Sequence, residues 1–383
     1  MLEPNRRISV VVVPSTFCNL RCSYCYELPL LQDKTRIGEA DLAKMFEHLG
    51  AFCAENDVDS ARIVWHGGEP LLLPPDYFWR AFELQRRAFD GVRTKVVHVT
   101  QTNLTVLDEE RIALLRDGFT DRGVSLDLFG SLRVNAGGNC REHVAKANLD
   151  MLLARGIGFT GITVLTKGNR RRVRQIYEFY RERSMNFRLL PLHRGDFGTG
   201  HWFEISAKDT LEAFCTLADL WLENPAGPRV HPIWGIISDV HAALAEGQPV
   251  APLDKRTFEP LLIVDKDGGV YPFSDFPSET ACYGNVFREP LGAILTSPVH
   301  ERVMAATEAR VQKTCGTCRH YGSTCAGIPV AEFTQDFWDV DAAGNIQCSV
   351  YRGFIDHVRS RLEECGLVRA PSVSREEVSL RCP

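Results

Sequence analysis

Three cysteines, Cys18, Cys22 and Cys25, fall within eight residues, spaced C-x3-C-x2-C directly after the apolar run 8–13. An apolar run of that length reads as a buried strand, so the thiols sit on the loop leaving its C-terminal end. Three converging thiolates suit three corners of a cubic iron–sulfur cluster and leave the fourth iron without a protein ligand, whereas ordinary clusters take four. Two plainer readings stand beside this one: a zinc site completed by a distant ligand, and buried cysteines with no metal.

Thirteen cysteines in a 383-residue chain, clustered toward both ends in short C-x2-C units, fit metal ligation better than the disulfide framework of a small secreted domain. The length suggests two or three domains, and 44% hydrophobic residues can fill a sizeable core. A net charge of −5 argues against general nucleic-acid affinity, and no apolar run is long enough to span a membrane. The expectation is a cytoplasmic protein with no nucleic-acid or membrane partner. The segment 5–13 reads as a first strand rather than a signal peptide.

Apolar runs at 62–65, 95–99, 123–126, 159–165 and 187–190 alternate with helical patterns at 39–56, 77–89, 108–116, 142–155 and 172–183. That alternation predicts a parallel sheet with helices outside, six βα units in all, with functional groups at the strand C-terminal ends. Residues 201–261 read as helical, and 262–272 as a β-hairpin turning on Lys266-Asp267-Gly268-Gly269. Cys315, Cys318, Cys325 and Cys348 follow. Taken alone, they suit a zinc ribbon.

The cysteine triplet with Tyr24, followed by Trp65-His66-Gly67-Gly68-Glu69-Pro70 after a second strand, resembles the radical S-adenosylmethionine (SAM) superfamily. The resemblance implies a partial (β/α)6 TIM-like barrel over residues 1–200, with Cys18, Cys22 and Cys25 holding a [4Fe–4S] cluster whose open iron binds SAM. It implies SAM contacts from Gly67, Gly68 and Glu69, from Gln101 and Asn103 where relatives read QTNG, and from Ser125 and Asp127 where they read VSLDG. Tyr24, Tyr26 and Leu165 complete the expected cofactor contacts. Relatives continue DGP after that aspartate, and this chain instead has Asp127-Leu128-Phe129, a departure where substrate would enter.

The later cysteines resemble the SPASM domain of radical SAM peptide maturases, a small twitch-like α+β iron–sulfur domain expected over 262–350, after a helical bridge at 201–261 and before a helix and tail at 351–383. Full versions hold two auxiliary clusters. Here Phe273 replaces the hairpin cysteine, Pro329 replaces the fourth cysteine of the run, and no cysteine lies between Cys215 and Cys282. These losses leave Cys315, Cys318, Cys325 and Cys348 for one auxiliary [4Fe–4S] cluster. Cys282, Cys53, Cys140, Cys215, Cys365 and Cys382 read as structural or incidental.

The implied function is oxidative modification of a ribosomally made precursor peptide, by side-chain crosslinking of the cyclophane type, with flavodoxin or ferredoxin as electron donor. Asp275 is the candidate base for the released proton. Formylglycine formation of the sulfatase-maturase kind is the alternative, weakened because Ser274 stands where those enzymes place their aspartate. Thioether or epimerase chemistry and a non-catalytic metal scaffold are further readings. No winged-helix leader-binding domain is expected before the barrel.

Overall fold

The structure is a computed structural model that describes residues 7–25, 27–192, 203–256, 261–272, 278–332 and 339–368. Its chain divides into two compact units. One comprises Met1–Leu126, Ser131–Thr160 and Lys255–Ala306; the other comprises Asp127–Gly130, Gly161–Asp254 and Thr307–Pro383. The hairpin read at 262–272 falls in the first unit, where its leading strand pairs with the first strand of the chain.

In the first unit, β1 (Arg7–Val12), β2 (Ser60–Trp65), β3 (Lys95–Thr102) and β4 (Asp121–Ser125) run parallel in sequence order. The β-branched run of β1 suits a strand, with Ile8, Val10 and Val12 buried on one face and Ser9 and Val11 half-buried on the other, and α1 (Glu39–Glu55) and α2 (Pro75–Ala88) provide the helical crossovers to β2 and β3. On the other side of β1 lies β8 (Leu261–Val264), also parallel, then β9 (Gly269–Pro272) and β10 (Gly284–Asn285), both antiparallel. Between β4 and β8 in the chain come β5 (Thr160–Leu165), β6 (Phe187–Pro191) and the two-residue β7 (Val230–His231). All six strands read from the sequence are present.

Register positions the site. Val12 pairs with Trp65, Trp65 with Thr100, and Thr102 with Val124, so β1 to β4 end nearly level and release their loops along one edge. Trp65, fully buried at the end of β2, anchors that edge. Phe46, Phe78 and Phe82 meet its ring edge-on, and His98 stacks on it. Burying each such side chain is worth about 1.5–3 kcal/mol.

In the second unit β5, β6 and β7 are parallel neighbours. Its helices include α3 (Ala207–Glu223) and, near the C-terminal end of the described chain, a helix at Ser349–Glu364. Phe354 of that helix packs edge-on against Phe214 of α3. Asp219 of α3 accepts hydrogen bonds from Arg361 Nε and His357 Nε2, each at 3.0 Å.

Candidate metal and cofactor centres

The Cys18–Cys25 loop folds back on itself. Cys18 N donates to Leu31 O (3.1 Å), Cys25 N to Cys22 O (3.0 Å), and Arg21 Nη1 to the carbonyls of Cys18 (2.8 Å) and Leu20 (2.6 Å). Residues 132–135 brace it from outside through Arg21 N to Val134 O and Ser23 N to Leu132 O. Cys18 and Cys22 are buried, Cys25 half-buried, and all three are free thiols. Burial pushes the Cys18 thiol up to about 11 and Cys25 up to about 12, and the Cys22 sulfur adds to both shifts. Close, mutually repelling thiols of this kind ionise readily only with a cation among them.

Around the thiols stand donors that suit an anionic cluster. Leu20 N donates to Cys18 Sγ (3.4 Å), and the Asn103 amide lies 3.8 Å from the same sulfur. The charge of Arg133 holds the Cys18 thiol down against burial, and Arg133 Nη1 donates to the Tyr24 hydroxyl (3.1 Å). Glu27 is the exception. Its carboxyl is 4% exposed, its Oε1 has no hydrogen-bond partner among the described residues, and burial pushes it up to about 7.

The glycine loop explains its own composition. Gly67 has φ +109°, and a Cβ there would lie 2.7 Å from Val13 Cγ1. A Cβ on Gly68 would lie 2.3 Å from both the Thr16 and Phe17 carbonyl oxygens. This absence of side chains lets Gly68 N donate to Ser15 O (3.1 Å) and Glu69 N to Phe17 O (2.9 Å), docking the loop on the cysteine segment. Glu69 then locks both to β3. Its Oε1 accepts from Leu71 N (2.9 Å) and Thr102 Oγ1 (2.6 Å), and its Oε2 from Asn103 N (2.6 Å). Asn103 donates to Asn19 Oδ1 (3.0 Å) and accepts from Thr105. The side chains of Glu69 and Asn103 are therefore engaged with protein, whereas Gln101 and Ser125 are more accessible polar groups on this edge. These two are half-buried and joined at 2.7 Å across β3 and β4.

The remaining expected contacts are distributed differently. Asp127 is buried and accepts from Val164 N (2.8 Å), and Asn169 clasps the same turn through Leu128 O and Val164 O. Leu165 is wholly buried at the end of β5. Tyr26, Phe273, Ser274 and Asp275 lie outside the described residues. Cys282 packs against Tyr271 and donates to Gly284 O (3.5 Å). Cys365, read as incidental, is disulfide-bonded.

In the second unit, Cys315, Cys318, Cys325 and Cys348 line one small cavity with His320, Tyr351 and Arg352. The His320 carbonyl accepts from the amides of Ser323, Thr324 and Cys325, a tight turn that leads into Cys325. Gly327, at φ +82°, donates its N–H to Cys325 Sγ (3.4 Å). Cys348 takes a left-handed conformation (φ 52°) at the start of its helix, strain of about 1–3 kcal/mol for a side-chain-bearing residue. Burial pushes Cys315 up to about 11 and Cys348 to about 12, and the Arg352 cation opposes both shifts. Sequence reasoning found the four thiols but missed Arg352, His320, Thr102 and Asn19, ordinary residues whose roles depend on long-range packing. Pro329 also lines the cavity.

Among the described residues no three His, Cys, Asp or Glu groups converge closely enough to hold a single ion. Zinc draws its thiolates to about 2.3 Å from one point. A four-iron cluster takes one thiolate at each corner, so its four thiols line one cavity together, as Cys315, Cys318, Cys325 and Cys348 do.

Residues 12–180 match the Radical SAM superfamily model. This chain carries a radical SAM domain. It is 22% identical over 380 residues to the cysteine-type anaerobic sulfatase-maturating enzyme of Clostridium perfringens, covering 93% of this chain and 97% of that one. It is also 22% identical to the serine-type enzyme of Bacteroides thetaiotaomicron, covering 91% and 89%. Among solved structures, anSMEcpe with bound AdoMet superposes with a TM-score of 0.72 at 18% identity, over 93% of this chain and 98% of that one. Streptococcus suis SuiB gives 0.61 at 14% identity, over 90% and 76%. The chain is an enzyme of mixed α/β fold with a radical SAM domain, and that superfamily uses a [4Fe–4S] cluster with SAM. No described helix is long and apolar enough to cross a membrane.

Proposed function

We propose that this enzyme oxidises side chains of a peptide substrate, holding a SAM-binding [4Fe–4S] cluster on Cys18, Cys22 and Cys25 and one auxiliary cluster on Cys315, Cys318, Cys325 and Cys348. The observation that carries the reading is the docking of the cysteine loop and the glycine loop through Gly68 and Glu69, at the level ends of β1 to β3. When bound, these groups supply one-electron cleavage of SAM to a 5′-deoxyadenosyl radical able to take hydrogen from an unactivated C–H bond, and a centre able to accept an electron. The protein's own part is to place that chemistry and exclude water. The carbonyls of the Gly67–Gly68 turn and the Gln101–Ser125 pair are the groups offered to SAM.

Crosslinking removes two hydrogens from the substrate, one as an atom and one as a proton whose electron would go to an acceptor, the chemistry an auxiliary cluster would supply. Asp275 is the base proposed for that proton. Ser274 at the position directly after Phe273 supports crosslinking over formylglycine formation. The end-to-end similarity to sulfatase-maturating enzymes favours the second reading, oxidation of a peptide cysteine or serine to an aldehyde. An electron carrier of the flavodoxin or ferredoxin kind would supply the cluster.

The test is mass spectrometry of candidate peptides after anaerobic turnover with SAM. Crosslinking predicts loss of two hydrogens and fragments that stay joined. Formylglycine predicts an aldehyde captured by a hydrazide. SAM left uncleaved by the reduced, iron-loaded protein would contradict both.

A further inference from the structure

The turn after the cysteine loop exposes two large apolar side chains, Leu28 at 45% and Leu30 at 46%. Both lie within one hydrogen bond of the thiol segment. Leu28 N donates to Cys25 O (3.1 Å), and the Leu30 carbonyl accepts from Thr16 Oγ1 (3.0 Å). Ser15 and Phe17, on either side of the Thr16 held to Leu30, line an open groove with Lys34, Arg36 and Glu69 among others. Phe17 is the covalent neighbour of Cys18, and Lys34 Nζ sits 5.3 Å above its ring. Arg36 lies 5.3 Å from the ring of Tyr77.

The charge here is lopsided for a chain of net charge −5. Lys34 and Arg36 are exposed, and neither forms an ion pair among the described residues. The adjacent acids are occupied: Asp33 lies 3.4 Å from Lys266, Glu39 pairs with Arg80, and Glu69 is buried in its own hydrogen bonds. Arg21 adds a further cation, spent only on backbone carbonyls. A small apolar pair beside uncompensated cations, one residue from a cluster thiol, suits a partner that must come close to iron and carries negative charge.

We propose that this face, Leu28, Leu30, Phe17, Lys34 and Arg36, is the docking surface for a small acidic flavin-containing electron carrier. The proposal rests on the cluster assigned to Cys18, Cys22 and Cys25. Electron transfer falls off steeply with distance, and on this face Phe17 is the covalent neighbour of Cys18 and Leu28 is hydrogen-bonded to Cys25 O. One electron leaves the carrier's reduced flavin and enters the cluster, with no bond made or broken. Opposite charges steer such encounters and raise association rates by 10- to 1000-fold, less so at high salt.

The test uses the reconstituted enzyme and flavodoxin. Lys34→Glu/Arg36→Glu is expected to slow cluster reduction by reduced flavodoxin at low ionic strength by about tenfold or more, and to flatten its salt dependence. It should weaken binding of oxidised flavodoxin in calorimetry to a similar degree. Leu28→Ser/Leu30→Ser should weaken binding and leave the salt slope in place. Reduction by dithionite, iron content and melting temperature should match wild type in both. Charge-reversed protein that takes electrons from flavodoxin at the wild-type rate overturns the docking surface alone. Wild-type protein that holds no iron, or cleaves no SAM with dithionite, overturns the functional reading and this proposal with it.

Discussion

Glu69→Gln separates a loop clamp from a cofactor ligand. The carboxylate is 3% exposed and takes three hydrogen bonds, two on Oε1 and one on Oε2. Glutamine has a single acceptor oxygen. Turned to keep Leu71 N and Thr102 Oγ1, it sets its NH2 against Asn103 N–H, two donors where 2.6 Å separated donor from acceptor. Losing a bond to a charged group costs about 1.5–3 kcal/mol, and a stranded buried donor about 1–3 kcal/mol, two figures that overlap. Removing the charge offsets part of this, since burial already raises the Glu69 pKa. The net is about 2 kcal/mol, or a fall in melting temperature of about 4–8 °C for a unit of this size. The assay is thermal unfolding of the metal-free protein without SAM. A variant that melts with wild type and loses only SAM affinity would refute the clamp and return the carboxylate to the cofactor.

Two further substitutions probe the same edge. Gly68→Ala drives a methyl into two backbone oxygens that cannot rotate away, so it should destabilise the protein by at least 1–3 kcal/mol and lower iron retention; unchanged melting and iron would mean that the two loops do not abut. His98 accepts from Trp65 Nε1 (3.2 Å) and is pushed by burial from 6.5 down to about 3. The unfolded chain takes up a proton near 6.5 that the folded protein refuses until about 3. Stability is thus whole above pH 6.5 and falls on acidification, by about 1.4 kcal/mol per pH unit. In urea unfolding, His98→Asn should lose about 1 kcal/mol less than wild type between pH 6.5 and 5.5, where the unfolded imidazole goes from half to almost fully protonated, and an equal loss would contradict the assignment.

The barrel strands and helices were legible because each apolar run is bounded by turn residues and each helix keeps its period. The β8–β9 hairpin was legible as a hairpin but not as a neighbour of β1, because pairing across 250 residues leaves no local trace. The cysteines announced themselves by spacing. Roles within the SAM edge did not, since Glu69, Asn103 and Asp127 look like ligands in sequence and spend their side chains on the backbone amides and side chains of other loops. Helix 108–116 ends early, with a π-helical turn at Leu114–Gly118, where Gly118 lies under Phe82 and Trp79. That packing is set by α2 and not by the helix's own residues.

The central claim is that two separate cysteine sets each hold a four-iron cluster. The direct measurement is iron, sulfide and zinc per chain after anaerobic reconstitution, in wild type and in Cys18→Ala/Cys22→Ala/Cys25→Ala and Cys315→Ala/Cys318→Ala/Cys348→Ala. Two clusters predict about eight irons in wild type and about four in each variant. About twelve would mean that residues other than cysteine complete a third cluster despite Phe273 and Pro329. Zinc in place of iron, or an iron count that neither variant lowers, would contradict the account.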